Sequence, residues 1–357
     1  METLFSAYRG IDKSVWDYYD GFRTGGGTDN PFITHPDSVD SHRQFIREYF
    51  RLSGKLEVLM HFGQDLLYEE RAFHTNSVFF LGLLIRENTV LKSILFNAKR
   101  SELNYPIFPL LWFLSILFHD YAMMIEDKSR DFPMLSDLEG VYTHYNIEHS
   151  LLEHMPKGIN GDLFGHIERY YAYRSGGSGG NKKKVDHGIL AGIFLYDRLV
   201  KIRREKWRLR ANEKLSWHNS LEKRYALAAS AVACHNIWTI PPTDPNVPHY
   251  TDKGLNYLVQ PMFQEISLQN FPLLFLFGIA DTIDPIKLYM RDIAGGLMPE
   301  VILKNIEVYF TKKSIHMRNV AESPLDFKHL IKNAKGLIGW MAVEIIDGAD
   351  HVTIAFK

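Results

Sequence analysis

The sequence predicts a mainly α fold with a small α+β unit at its C-terminal end. Three features say so. From about Val39 to about Thr282, apolar residues recur at three- and four-residue spacing, the period of helices with one buried face. Beyond about residue 290, short stretches alternate apolar and polar residues around turn-forming residues, the period of half-buried strands. Apolar residues make up 46% of the 357-residue chain and aromatics 13%, enough to fill a sizeable core.

In order, residues 1–40 are turn-rich (Gly25-Gly26-Gly27, Asn30-Pro31, His35-Pro36) and read as an arm with one short helix near Ser14–Tyr19. Helices are expected at Ser41–Leu52, Gly54–Glu70, Arg71–Leu95 and Phe108–Glu126, the last approached through Asn104-Tyr105-Pro106. Leu151–Glu153 and Gly161–Tyr173 follow, then Arg174–Lys184, whose Ser-Gly-Gly repeats have linker composition. Helices resume at Asp186–Arg204, Ser220–Trp238 and Phe271–Thr282, with Asp186 placed to cap the first of them. In the tail, Ile306–Phe310 and Ser314–Arg318 flank Thr311-Lys312-Lys313, while Trp340–Ile346 and His351–Phe356 flank Asp347-Gly348-Ala349-Asp350. Both pairs read as β-hairpins, with a helix over Pro324–Lys335 between them. The expected organisation is an arm over 1–40, a helical domain over 41–290 and an α+β tail over 291–357.

A net charge of −1 and a charged fraction of 23% leave no global footprint for nucleic acid or an anionic membrane, so any basic patch is local. One cysteine, Cys234, excludes an intramolecular disulfide and suits a reducing cytoplasm. Within Ala-Ala-Ser-Ala-Val-Ala-Cys-His-Asn it reads as a small buried hydrophobe rather than a nucleophile. The first ten residues show no secretory pattern. The longest apolar run, 106–118, falls short of the roughly 20 residues a membrane span needs. A cytoplasmic protein with no membrane partner is the expectation.

Polar residues inside the apolar stretches carry the functional signal. His119-Asp120 ends the run Pro-Ile-Phe-Pro-Leu-Leu-Trp-Phe-Leu-Ser-Ile-Leu-Phe, where burial is costly unless the pair finds a partner or a metal. His74 opens the apolar Val78–Ile85 segment, and His187, His235 and Asp281 each stand in or beside an apolar helix. Ligands spread over several helices are how a metal centre is built in a helical core. If 119 and 120 are both helical, their side chains point about 100° apart, one end-on to an ion and one free to bridge. Two histidines and two carboxylates suit a divalent ion such as Mn, Fe, Ni or Zn. Asp284, before Pro285, reads instead as a helix-end residue.

The order His74 … His119-Asp120 … Asp281 resembles the H…HD…D signature of the HD-domain phosphohydrolase superfamily. Asp186-His187-Gly188-Ile189 and Ala233-Cys234-His235-Asn236 look like the extra histidine motifs of its two-metal branches. The resemblance spans roughly residues 70–290. It implies an HD-type helical domain in which His74, His119, Asp120 and Asp281 hold a first divalent ion. His187 and His235 would complete a second, with Asp120 bridging; a mononuclear site is the alternative. Two ions (Mn, Fe, Ni, Zn or Mg) about 3.5–4 Å apart clamp an in-line displacement by a metal-bound hydroxide. The implied activity is hydrolysis of a phosphoester of a nucleotide, oligonucleotide or other phosphorylated small molecule, with His119 and Asp120 catalytic.

The chain departs from familiar patterns in this family. Tyr-Ala-Met-Met-Ile-Glu-Asp follows His119-Asp120 where many relatives place Gly-Lys, and no Gly-Tyr-Pro motif of cyclic-di-GMP phosphodiesterases is present. Lys182, Lys183 and Lys184 are candidates for contacting a substrate phosphate, against the plain reading of a solvated loop. His149 is a candidate for substrate contact from the histidine-rich stretch that also holds His144, His154 and His166. The basic segment Lys201–Lys214, with Trp207, would suit a nucleic-acid backbone, as in the HD nucleases of CRISPR systems. A non-catalytic HD-fold sensor or scaffold is the third reading.

Overall fold

Phe108–Phe118 has no polar face, and its side chains are buried all round, so it forms a core helix rather than a surface one. The computed structural model describes residues 1–17, 29–52, 55–62, 69–96, 107–128, 135–155, 163–176, 184–209, 217–237, 240, 242–252, 259, 265–290 and 296–357. The fold is mainly helical, 61% helix against 11% strand, with an antiparallel sheet built largely from the C-terminal hairpins. Contacts divide the chain into two units. The first comprises Met1–Ile116, Asn212–Ser216 and Phe275–Lys357; the second comprises Leu117–Ala211 and Trp217–Leu274. These units cut across the consecutive arm, domain and tail read from the sequence.

In the first unit the sheet runs β1 (Glu2–Thr3), β2 (Ile306–Thr311), β3 (Ser314–Asn319), β5 (His351–Phe356), β4 (Val343–Asp347), with every neighbour antiparallel. Val308, Met317 and Val352 form one buried row across three strands. Both expected hairpins are present, and the helix between them covers Lys328–Lys335. The N-terminal residues are not a separate arm. Glu2 pairs with Val308, and Leu4–Gly10 is a helix whose Tyr8 carbonyl accepts from the Asn30 side chain at 2.8 Å. The short helix expected near Ser14–Tyr19 is a single 3-10 turn over Lys13–Val15; residues beyond 17 there lie outside those described.

Helices of this unit gather an aromatic core. Phe79 of Glu69–Asn88 stacks on Phe113 at 4.3 Å between ring centres, and Tyr49 of Val39–Leu52 meets Phe113 edge-on at 4.5 Å. The Trp112 indole N–H donates to the Phe79 carbonyl at 3.0 Å, so its one polar atom is satisfied in the core. His42 is fully buried beside them, its Nε2–H donating to the Pro36 carbonyl and its Nδ1 accepting from Asn76, each at 3.0 Å.

In the second unit, His187–Arg208 packs along Ser220–Cys234. Gly192 makes the close approach possible, since a Cβ there would lie 2.6 Å from the Ala229 carbonyl oxygen. Asp186 caps the first helix as expected, accepting from the Ile189 amide at 2.9 Å. The second helix stops at Cys234 rather than Trp238, which leaves His235 as its C-cap. Cys234 is buried, and burial raises its thiol pKa, in keeping with a small hydrophobe.

One boundary matters most. The expected Phe108–Glu126 helix ends at Phe118; residues 119–122 form turns, and Met123–Lys128 begins a new helix. Taken together, 108–126 is nonetheless long and apolar enough to cross a membrane by length and composition, unlike the shorter 106–118 run. Of that window, 72% is buried inside the fold, the position of core.

Two outcomes follow from this packing. Gly192→Ala should lower the thermal midpoint, because overpacking of about 1–3 kcal/mol outweighs the gain in helix propensity of at most ~1 kcal/mol. Burial holds His42 near pKa 4 against its ordinary 6.5, although the Pro36 carbonyl works the other way. Between those values the unfolded chain binds a proton that the folded chain does not. Stability is therefore kept above about pH 6.5 and falls by up to about 3 kcal/mol as pH drops toward 4. Denaturant titrations across that range should show this loss, and His42→Gln should flatten it.

Candidate metal centre

Asp120 is the hub of the second unit's polar cluster. It lies in the turn after Phe118, held by bonds from Tyr121 N–H to the Phe118 carbonyl and from Met123 N–H to the Asp120 carbonyl, both 3.1 Å. Three imidazoles surround its carboxylate. His119 Nε2 lies 3.2 Å from Oδ2, while His187 Nε2 and His235 Nε2 lie 3.4 and 3.9 Å from Oδ1. The two residues do not diverge as they would on a helix; the turn bends their side chains together. Burial would raise the Asp120 pKa, but the charges and hydrogen bonds of His119, His187 and His235 hold it well below the carboxylate range.

The outer ring nitrogens are tied down. His235 Nδ1–H donates to the Val232 carbonyl at 2.7 Å, a bond its C-cap position creates. His187 Nδ1–H donates to Glu126, which also accepts from Arg174 at 2.9 Å. On its other edge, His187 Nε2 accepts from the Asn236 amide at 2.7 Å. Burial opposes protonation of His187, yet Asp120 and Glu126 hold its pKa up at about 9. In the neutral ring that ligation by Nε2 would require, Nδ1–H held on an acceptor leaves the Nε2 lone pair turned inward, the arrangement metal-ligating histidines use. Gly188 contributes space, since a Cβ there would come within 2.9 Å of the His235 ring.

The donor set fits a divalent ion. Ligand atoms of His119, Asp120 and His235 all lie within 4.8 Å of one another, and His119 and His235 are buried. Nitrogens from two imidazoles with one carboxylate match Zn, Fe, Ni or Mn rather than a hard all-oxygen cation. The chain therefore contains a buried His/Asp grouping able to hold a metal ion.

The first unit holds a second polar cluster, around His74. Its Nε2 lies 3.2 Å from Asp281 Oδ1, and its Nδ1–H donates to Asp284 Oδ2 at 2.8 Å. Asp284 is fully buried, accepts from the Ser77 hydroxyl, and caps Pro285–Tyr289 through the Lys287 amide at 3.0 Å. Burial opposes protonation of His74 too, but Asp281 and Asp284 hold its pKa up at about 9. Reading Asp284 as a helix-end residue captures its cap and misses its hold on His74.

Of the remaining candidates, Lys184 is half-buried, its amide donates to the Arg174 carbonyl at 3.3 Å, and its charge helps lower the Glu126 pKa. Lys182 and Lys183 lie outside the described residues. His149 is held elsewhere: its amide donates to Asp197 at 3.0 Å, ten residues and so about 15 Å along the helix from His187. The basic stretch after Lys201 is partly neutralised, with Lys201 on Asp197 and Arg203 and Arg204 on Glu222; residues 210–214 lie outside those described. Glu126, Arg174 and Asn236 were not singled out as site residues by sequence. Glu126 could have been, as a carboxylate that, with Asp127, follows His119-Asp120 by less than two turns in the next short helix.

No protein-family model matches the chain, and neither the curated proteins nor the solved structures provide a match.

If the cluster binds an ion as this geometry suits, Glu126→Ala should weaken Zn²⁺ or Mn²⁺ binding by about 10–100-fold through loss of the His187 acceptor. Competition with a chromogenic chelator measures this directly.

Proposed function

We propose that the protein is a metal-dependent phosphohydrolase with an HD-type helical domain, acting on a phosphoester of a nucleotide, an oligonucleotide or another phosphorylated small molecule. The observation that carries the reading is the Asp120 cluster: one carboxylate ringed by His119, His187 and His235, with the outer nitrogens of His187 and His235 tied to acceptors. A protein that needed only to neutralise Asp120 would require one cation, not three imidazoles aimed inward. Their order in the chain, with His74 and Asp281, is the order the HD resemblance implies.

In this reading His119, Asp120, His187 and His235 hold divalent metal, with His74 and Asp281 as the further ligands that the resemblance assigns. Asp120 presents both oxygens to imidazole-lined sides and is suited to bridge two ions, though a single ion satisfies the same donors. A bound ion supplies an acidified water and positive charge for phosphoryl oxygens. The residues supply the rest. Glu126 and the Val232 carbonyl fix the tautomers of His187 and His235, and the charge of Lys184 acts on Glu126.

The test is metal content per chain on protein purified without chelator, beside Asp120→Ala, followed by phosphomonoester and phosphodiester screens with Mn, Ni and Mg. One or two ions per chain in the native protein, lost with the activity in Asp120→Ala, is the expected result. Full activity in that variant overturns the assignment. No ion after incubation moves the chain to the non-catalytic reading, and steeply salt-dependent cleavage of DNA or RNA selects the nuclease.

A further inference from the structure

Lys287 is doubly committed. Its backbone N–H bonds Asp284 Oδ2 at 3.0 Å, and its ammonium reaches both oxygens of Asp281, at 2.9 and 2.8 Å. Asp284 also receives His74 Nδ1–H, so one buried carboxylate sets the position of the imidazole and of the lysine backbone together. Pro285 at the first helical position stiffens that anchor. The side chain differs: it is 41% exposed, whereas Asp281 is 14% exposed. The lysine thus has a fixed root, a partly exposed four-carbon stem, and a head resting on a sheltered carboxylate.

We infer that Lys287 is a phosphate-binding residue parked on Asp281, released to substrate phosphoryl oxygens when a divalent ion takes that carboxylate. The inference rests on the metal-centre reading above. An ammonium on both oxygens of Asp281 occupies the place an incoming cation needs. A dication there repels the ammonium and takes over its carboxylate, while the root of Lys287 keeps the head within a side chain's length. The exchange leaves the cluster richer in positive charge, which a phosphate dianion offsets. Lysine suits this task as a compact, mobile point charge; a guanidinium forked on Asp281 would be harder to displace. The ligand chemistry is therefore a phosphoryl group carrying at least one unesterified oxygen pair.

The test uses the full chain as native protein, Lys287→Met and Lys287→Arg. Metal content and Mn²⁺ affinity are read first, then inorganic phosphate binding by the broadening of its ³¹P signal on Mn²⁺-loaded protein. Lys287→Met should take up Mn²⁺ at least as tightly as native protein, because the competing ammonium is gone. It should bind phosphate at least tenfold more weakly, and Lys287→Arg should recover part of that loss. Equal phosphate affinity in native and Lys287→Met protein at equal metal content overturns the inference and leaves the metal reading standing. Loss of metal along with phosphate in Lys287→Met also overturns it, since the lysine would then be a support of the cluster. A native protein that takes up no ion removes the metal reading and this inference together.

Discussion

A carboxylate withdrawn from water has to be repaid in hydrogen bonds or opposite charge, and much of the second unit is arranged around doing so for Asp120. The Phe108–Phe118 helix is apolar on every side and offers no place for such a group. The chain leaves helical geometry just where the polar pair begins, and the turn over 119–122 lets both side chains meet on one side. Two other elements then end or begin at the same locus. His187 starts a long helix immediately after its Asp186 cap, and His235 closes the helix that precedes it. Helix termini, not helix faces, deliver these imidazoles, and a terminus fixes a side chain through its capping bonds.

The first unit solves the same problem with different residues. His74 stands between Asp281 and Asp284, and the fully buried Asp284 is satisfied by three donors, the Ser77 hydroxyl, the His74 ring and the Lys287 amide. In both units an acceptor holds Nδ1, a side-chain carboxylate for His74 and His187 and a main-chain carbonyl for His235. The common result is Nε2 turned toward a carboxylate. Ser77 itself is tied further back, because the Tyr8 hydroxyl donates to its carbonyl at 3.0 Å. That bond runs from the N-terminal helix to the His74 cluster through fully buried groups.

The hydrophobic period placed the long helices and the two hairpins, because burying one face of a helix or strand leaves a regular trace in sequence. His74, His119, Asp120, His187, His235 and Asp281 stood out for the converse reason, as polar residues against apolar surroundings. What escaped was set by partners distant in sequence. Glu126 and Arg174 look like ordinary surface charges until His187, 61 residues from Glu126, arrives beside them. Asp284 reads as a cap from its proline, and nothing local announces a bond to a residue 210 positions away. The pairing of Glu2–Thr3 with β2 was equally silent, since two residues are too few to show a period. The break at Phe118 was hidden because Tyr121 to Ile125 remain apolar enough to continue the helical pattern.

That pairing of Glu2–Thr3 has a consequence for how the chain is made. Synthesis runs from the N-terminal to the C-terminal side, and domains tend to fold as units when their residues become available. The first unit cannot close its sheet until β2 and β3 have been translated some three hundred residues after β1. The second unit, made of residues between 117 and 274, is complete well before that. During this interval Leu4, Phe5 and Tyr8, all buried in the finished fold, have yet to meet the strand that covers them. Residues of the Leu4–Gly10 helix are thus made long before the strand that completes their burial, and in the interval only earlier-made neighbours such as Asn30, Phe32, Ser77 and Phe80 can shelter them.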